Sequence, residues 1–162
     1  RGLGDVYKRQ EYLKVRKIIK NKTKQFDNNF EFQSPIESVI TSAFGKRRFI
    51  NGNERSPHMA LDLRGAVGQE ILAPKTGKVV LAENHFYGGN KVILDHGGGL
   101  FTAYSHMSEI LVKPEDVIEA GTVIGFVGMT GRVTGPHLHW EVFLNENRIN
   151  PELLVGLEYA QD

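Results

Sequence analysis

The chain has 162 residues, of which 40% are hydrophobic and 24% charged, and this composition suffices for one ordinary globular domain. It contains no cysteine, which excludes disulfides and thiolate metal ligands. No stretch approaches the roughly 18 apolar residues of a membrane span, and no secretory signal is present. Because the chain begins with Arg1 rather than Met, we expect a fragment whose targeting segment lies upstream.

The N-terminal region is basic, although the net charge of the chain is only +1. Residues 1–24 contain nine Lys and Arg against two Asp and Glu, whereas residues 25–162 contain eleven against seventeen. Residues 1–10 are similar to a translated adaptor sequence that recurs at the ends of unrelated assembled reads. We therefore interpret them as a non-native segment and set them aside.

Residues 11–34 form a basic helix and linker in this interpretation. Val15, Ile18 and Ile19 recur at helical spacing, which predicts a short amphipathic helix within Glu11–Lys22. A solvated helix that joins an upstream domain is favoured over nucleic-acid or membrane binding, because aromatic residues are not interleaved with the basic ones.

Residues 35–156 alternate between turn residues and short β-rich runs, which predicts an antiparallel all-β domain. Residues 157–162 are expected to be a C-terminal tail. The clearest predicted strands are Lys78–Leu81, Lys91–Leu94, Leu100–Tyr104, Thr122–Val127 and Leu138–Phe143.

The first segment with metal-binding side chains is His58-Met59-Ala60-Leu61-Asp62. Polar and apolar residues alternate as they do on a strand with one buried face, and Pro57 suits an extended approach. The pattern predicts a strand that presents His58 and Asp62 on one face. An ion pair near a turn is the plainer interpretation of these two residues.

The second such segment is His137-Leu138-His139-Trp140-Glu141. On a strand, residues i and i+2 point to the same side, so the two imidazoles project together while Leu138 and Trp140 face the core. Glu141 shares the histidine face, where it would orient a ligand or face solvent.

The two segments together indicate a metal site. Zinc accepts imidazole nitrogen and carboxylate oxygen, and catalytic zinc sites keep three protein ligands and one open position. His58, Asp62 and one of the two paired histidines would supply such a set. The helical His-Glu-x-x-His motif, a common zinc-binding pattern, is excluded because the chain has no His-Glu pair.

The motifs and their order resemble those of the lysostaphin-type zinc metalloendopeptidases, which cut peptide crosslinks in bacterial peptidoglycan. That family has His-x-x-x-Asp, then a single His in a Tyr-x-His context, then His-x-His. The resemblance runs from about Ser42 to Pro151, with Ala60 where the family usually has Gly. The matching residues are His58 and Asp62, Tyr104-Ser105-His106, and His137 and His139.

The resemblance implies one zinc ion per chain, bound by His58, Asp62 and His139. It implies that His106 and His137 are unligated catalytic histidines, one of which acts as general base while the other steadies the oxyanion. The implied fold is a β-sandwich or open barrel of the duplicated hybrid motif type, preceded by a short helix.

The implied substrate is peptidoglycan, and the segments around the two histidine motifs favour D,D crosslinks of the diaminopimelate type. We therefore expect a monomeric protein in the periplasm or outside the cell. Contact with a membrane would come only through a segment upstream of this chain.

Two alternatives remain. The first is a catalytically inactive relative that binds and activates other cell-wall hydrolases, although all five site positions are retained here. The second, more remote, is a lipoyl- or biotin-type carrier domain, suggested by the related segments Gly77–Val80 and Gly121–Ile124. Carriers present a modified lysine within an Asp-Lys or Met-Lys pair, and the chain has neither.

Three further residues are predicted to have lesser roles. His85 is interpreted as a structural loop residue at the edge of the cleft, and His96 as a turn residue bonded to backbone. Tyr104 is expected to share a strand face with His106, as a phenol that faces substrate or as a packed aromatic residue.

Overall fold

The computed structural model describes residues 2–29 and 31–161. Arg1 in the set-aside segment, Phe30 in the linker and Asp162 in the tail lie outside these residues. Within the described part, helix α1 (Leu3–Ile19) precedes fourteen strands and a 3-10 turn at Pro151–Leu153. The strands are β1 Val39–Ser42, β2 Arg48–Ile50, β3 Asn53–Arg55, β4 Leu61–Arg64, β5 Glu70–Leu72, β6 Gly77–His85, β7 Gly89–Gly97, β8 Leu100–Met107, β9 Glu109–Ile110, β10 Val117–Ile118, β11 Val123–Phe126, β12 His137–Leu144, β13 Asn147–Ile149 and β14 Glu158–Tyr159.

The strands form one large sheet, one small sheet and a two-stranded ribbon. The large sheet has the order β10-β6-β7-β8-β12-β4-β1-β14, with β13 also paired to β12. The small sheet has the order β5-β11-β9, and β2 pairs with β3. The pairing of β14 with β1 is parallel, so part of the expected C-terminal tail belongs to the sheet. The all-β prediction is confirmed, and all five clearest predicted strands are present.

The main core lies between the large and small sheets. Alternate residues of β12, namely Leu138, Trp140 and Val142, are fully buried there together with Ile71 of β5 and Ile124 of β11. The other face of β12 therefore presents His137, His139 and Glu141 away from this core. The alternation predicted for this strand is confirmed, and it is the feature that places the histidines on an accessible face.

Helix α1 packs on that same outer face of the large sheet. Val15 and Ile19 are buried against a second apolar cluster that includes Leu81, Phe101 and Phe143. The helix begins eight residues before the predicted Glu11, so residues of the set-aside segment form its first half. It is neither long nor apolar enough to cross a membrane.

His96 is fully buried at the end of β7. Its Nδ1 lies 3.1 Å from the Thr76 carbonyl oxygen and its Nε2 lies 2.7 Å from the Thr102 hydroxyl. The predicted bond to backbone is present, but the prediction of a turn was wrong, because His96 lies within β7. Burial lowers the pKa of His96 from 6.5 to about 4, because the surroundings disfavour a charged imidazole.

We expect metal-free protein to lose stability as the pH falls from 6.5 to about 4. The unfolded chain takes up this proton first, so the contribution is complete above the unfolded pKa and lost as the pH falls through the folded one. The interval corresponds to about 3 kcal/mol for His96. Chemical denaturation of the chelated protein at several pH values measures it. His96→Gln should weaken this dependence and leave the part that comes from His106, whose pKa is also lowered to about 4. Equal pH dependence in both proteins would refute the assignment.

Candidate active site

The pairing of β4 with β12 brings Asp62 close to the two histidines of the His-x-His pair. In the antiparallel register of β4 and β12, Asp62 lies opposite His139 and Arg64 lies opposite His137. The His139 Nδ1 atom is 2.9 Å from Oδ1 of Asp62. The His137 Nε2 atom is 3.6 Å from the same oxygen. Asp62 is therefore within reach of both members of the His-x-His pair.

The strand predicted to contain both His58 and Asp62 begins only at Leu61. The prediction was wrong for His58 and Ala60, which lie in the segment before β4. The His58 backbone pairs with a loop instead of a strand, since Gly45 N donates to the His58 carbonyl at 2.6 Å. Ala60 is buried and does not have a positive φ, so an alanine is compatible with the backbone at this position.

His58 nevertheless reaches the carboxylate. Its N–H donates to the Lys46 carbonyl at 2.9 Å, and its ring Nδ1 lies 3.0 Å from the Ala43 carbonyl oxygen. These contacts aim Nε2 at Asp62, with 3.4 Å between Nε2 and Oδ2. The loop at residues 43–46 therefore orients His58 toward Asp62, a role that the sequence had assigned to a strand.

His106 arrives from β8 through a bulge. Ser105 and His106 together oppose Lys91, and His106 has a φ of +63°. Tyr104 and Met107 are fully buried in the main core, so the bulge turns His106 to the outer face. The prediction that Tyr104 shares a face with His106 was wrong, and Tyr104 is a packed aromatic residue.

Three of the four site imidazoles are fixed in the same tautomer. In each of them Nδ1 faces a backbone carbonyl, which can only accept, so Nδ1 carries the proton and Nε2 has a free lone pair. The Nδ1 to oxygen distances are 3.0 Å from His58 to Ala43, 2.8 Å from His106 to Thr130, and 3.1 Å from His137 to Gly135.

The arrangement around Asp62 fits a bound cation. His58 Nε2 is buried and has no hydrogen-bond partner among the described residues, and its lone pair faces a carboxylate. Burial raises the pKa of Asp62, but the neighbouring imidazoles of His139 and His58 outweigh it and hold that pKa well below its usual value. An ionised carboxylate beside an imidazole lone pair is unfavourable unless a positive ion lies between them. His58, Asp62 and His139 offer ligand atoms within 4.8 Å of one another.

His106 and His137 lie beside these three residues. Their ring centroids are 5.3 Å apart, and His106 is 5.9 Å from the ring of His139. Burial is the main cause that lowers the pKa of His106 to about 4, and repulsion from His139 and His137 adds to it. His106 is therefore neutral at pH 7 and has a free Nε2. The structure thus brings together all five residues singled out in the sequence.

Glu141 lies beneath His139 in a buried cluster of charges. Its carboxylate accepts from Lys91 Nζ at 3.1 Å and from Arg148 Nε at 2.9 Å, and Lys91 also donates to Ser105. Burial raises the pKa of Glu141, but Lys91, His139 and Arg148 together hold it well below its usual value. One Glu141 oxygen is 3.9 Å from His139 Nε2. Sequence reasoning missed Lys91 and Arg148, because a lysine or arginine at an outward strand position is typical of a solvated face.

A cleft of about 420 Å³ opens beside the site, and α1 forms one of its walls. Its lining includes Tyr12, Tyr87, His106, Arg132, His139 and Glu141. His85 also lines this cleft, as predicted, but it ends β6 instead of lying in a loop. It is buried, with Nε2 at 3.1 Å from the Glu83 carboxylate.

Comparisons with known proteins point to one family. Residues 56–151 match peptidase family M23. A curated relative, the peptidoglycan DD-endopeptidase ShyA of Vibrio cholerae, is 40% identical over 119 residues, which are 72% of this chain and 28% of ShyA. The chain thus spans less than a third of that relative.

Two solved structures share the fold. A zinc-containing peptidase from Vibrio cholerae has a TM-score of 0.70 and 32% identity, over 74% of this chain and 39% of that one. The catalytic domain of lysostaphin from Staphylococcus simulans has a TM-score of 0.62 and 31% identity, over 72% of this chain and 90% of that one. With more than half of its length matched by the family, the chain belongs to peptidase family M23, as its resemblance to lysostaphin-type enzymes predicted.

Proposed function

We propose that this protein is a zinc-dependent endopeptidase that hydrolyses peptide crosslinks of bacterial peptidoglycan. The strongest support is that Nε2 of His58 is buried beside ionised Asp62 and has no hydrogen-bond partner among the described residues. Two further histidines, each with a free Nε2 atom, lie next to this pair. One zinc ion per chain would be held by His58, Asp62 and His139. When bound, zinc supplies a Lewis acid that polarises the scissile carbonyl and lowers the pKa of water.

The chain's own residues supply the proton transfers. Since the Nδ1 protons of His106 and His137 are committed to carbonyls, each Nε2 accepts a proton in the neutral form. One of the two takes the proton from the attacking water and delivers it to the leaving amine. A protonated imidazole beside the reacting carbonyl also stabilises the negative charge that develops on its oxygen.

The substrate class comes from the relatives and not from the site itself. ShyA is a DD-endopeptidase, which supports D,D crosslinks as the bond that is cut. A protein that cleaves this polymer would act in the periplasm or outside the cell. Membership of a peptidase family leaves the carrier-domain alternative without support.

Crosslinked muropeptides of defined linkage test this function. Zinc-loaded protein should convert D,D-crosslinked dimers to monomers, with the mass of one water added per bond, and a chelator should stop the reaction. Dimers with a different crosslink are the matched control. If the zinc-loaded protein cuts none of them, the proposal fails and the inactive activator of other hydrolases becomes the better explanation.

A further inference from the structure

Helix α1 places a carboxylate next to the candidate active site. Glu11 lies outside residues 56–151, the part that matches the family. Its Oε2 accepts from Tyr87 N at 3.0 Å and its Oε1 accepts from Gly88 N at 3.1 Å. Hydrogen bonds from backbone amides to an ionised carboxylate are among the stronger ones in proteins. One side chain thus binds two consecutive amides at the tip of the β6–β7 hairpin.

The same carboxylate also faces His85. The distance from Glu11 Oε1 to His85 Nδ1 is 3.5 Å, and the His85 side chain is 5% exposed. This nitrogen is buried and makes no hydrogen bond among the described residues, and the Glu11 carboxylate lies within ion-pair distance of it. The contact adds a third reason for the carboxylate to stay at the hairpin tip.

The hairpin tip in turn holds the backbone of His106. The Gly88 carbonyl accepts from His106 N at 2.6 Å, one peptide group away from the amides that Glu11 binds. His106 has a φ of +63°, a conformation that costs free energy in a residue with a Cβ and persists only when its neighbours enforce it. On the other side, Thr130 fixes the ring through its carbonyl oxygen. The position of the His106 ring therefore depends on where the hairpin tip lies.

The helix is a firm base for this contact. Val15 and Ile19 are buried against the outer face of the large sheet, so the second half of α1 is anchored by apolar packing. Glu11 is one turn before Val15 and is largely buried, with 18% of its side chain exposed. A carboxylate on an anchored helix is a fixed point to which a hairpin loop can be tied.

We propose that Glu11 is a positioning residue for hydrolysis, which ties the β6–β7 hairpin to α1 and so sets the backbone and ring of His106. This inference rests on the proposed endopeptidase function. It makes α1 part of the working domain and not only a linker, because the helix supplies a contact that the family-matched region lacks.

The test compares Glu11→Ala and Glu11→Gln with Arg16→Ala. Arg16 is the control, since it also ties α1 to the sheet but contacts Glu146 at the far turn. Glu11→Ala should lower kcat by roughly 10- to 100-fold, as loss of a supporting partner does, with KM and zinc content unchanged. Glu11→Gln keeps one acceptor oxygen, so its kcat should lie between those of Glu11→Ala and the wild type. Arg16→Ala should keep the wild-type kcat.

NMR of the zinc-free protein gives a second readout that needs no activity. The amide and ring signals of His106 should shift in Glu11→Ala and stay in place in Arg16→Ala. Unmoved His106 signals, or equal kcat losses in the Glu11 and Arg16 variants, would overturn the inference. An inactive wild-type protein would instead refute the proposed function, while the His106 signals would still test the role of Glu11.

Discussion

Asp62→Asn should abolish zinc binding and hydrolysis together. The substitution keeps the shape of the side chain but removes the negative charge that lies 3.4 Å from His58 Nε2 and 2.9 Å from His139 Nδ1. Loss of a residue that only hydrogen-bonds to a metal ligand typically lowers affinity by roughly 10- to 100-fold, and we expect zinc affinity to fall by more than that here. Elemental analysis after dialysis, paired with turnover of a crosslinked muropeptide, measures both effects.

His85→Gln is the matched control for that experiment. His85 is buried, as a ligand could be, yet it contacts Glu83 and Glu11 and none of the three proposed ligand residues. Its replacement should leave zinc content unchanged. Full zinc occupancy in Asp62→Asn would contradict the ligand assignment.

Substitutions of the two histidines of the His-x-His pair should give different results in the same assay. His139→Ala should lose zinc and activity together, because its Nδ1 is the atom that faces Asp62. His137→Ala should retain zinc while kcat falls by roughly 10²- to 10⁴-fold, as expected for a general acid–base residue. If His137→Ala emptied the site and His139→Ala did not, the two roles would be reversed.

His106 completes this comparison. Asn is the better replacement there, because it tolerates the positive φ of this position, which Ala would strain. His106→Asn should behave like His137→Ala, with zinc retained and turnover reduced. Loss of zinc in His106→Asn would instead make His106 a ligand.

Much of the site could be predicted because it depends on strand periodicity. The alternation of Leu138 and Trp140 with His137 and His139 places both imidazoles on one face wherever the strand lies. The ligand preferences of zinc and the short interval between His58 and Asp62 were then enough to predict a zinc site at these residues. The assignment of particular histidines as ligands or as unligated residues came only from the resemblance to a known family, and it stays a prediction.

The rest depends on contacts that local pattern does not encode. His58 is held by the carbonyls of Ala43 and Lys46 in an irregular loop, and His106 by a bulge that reverses the parity of β8. Both features arise from backbone geometry between distant segments. Glu11 contacts two residues that follow it by 76 and 77 positions, and no sequence periodicity predicts such a contact.

We expect hydrolysis to require one zinc ion in the site of His58, Asp62 and His139. Titration of zinc into chelated protein, with turnover of a D,D-crosslinked muropeptide recorded at each step, measures this requirement. Turnover should begin at zero, rise in proportion to added zinc and reach its plateau at about one ion per chain. Full turnover before any zinc is added, or none when one zinc per chain is bound, would show that hydrolysis does not depend on this site.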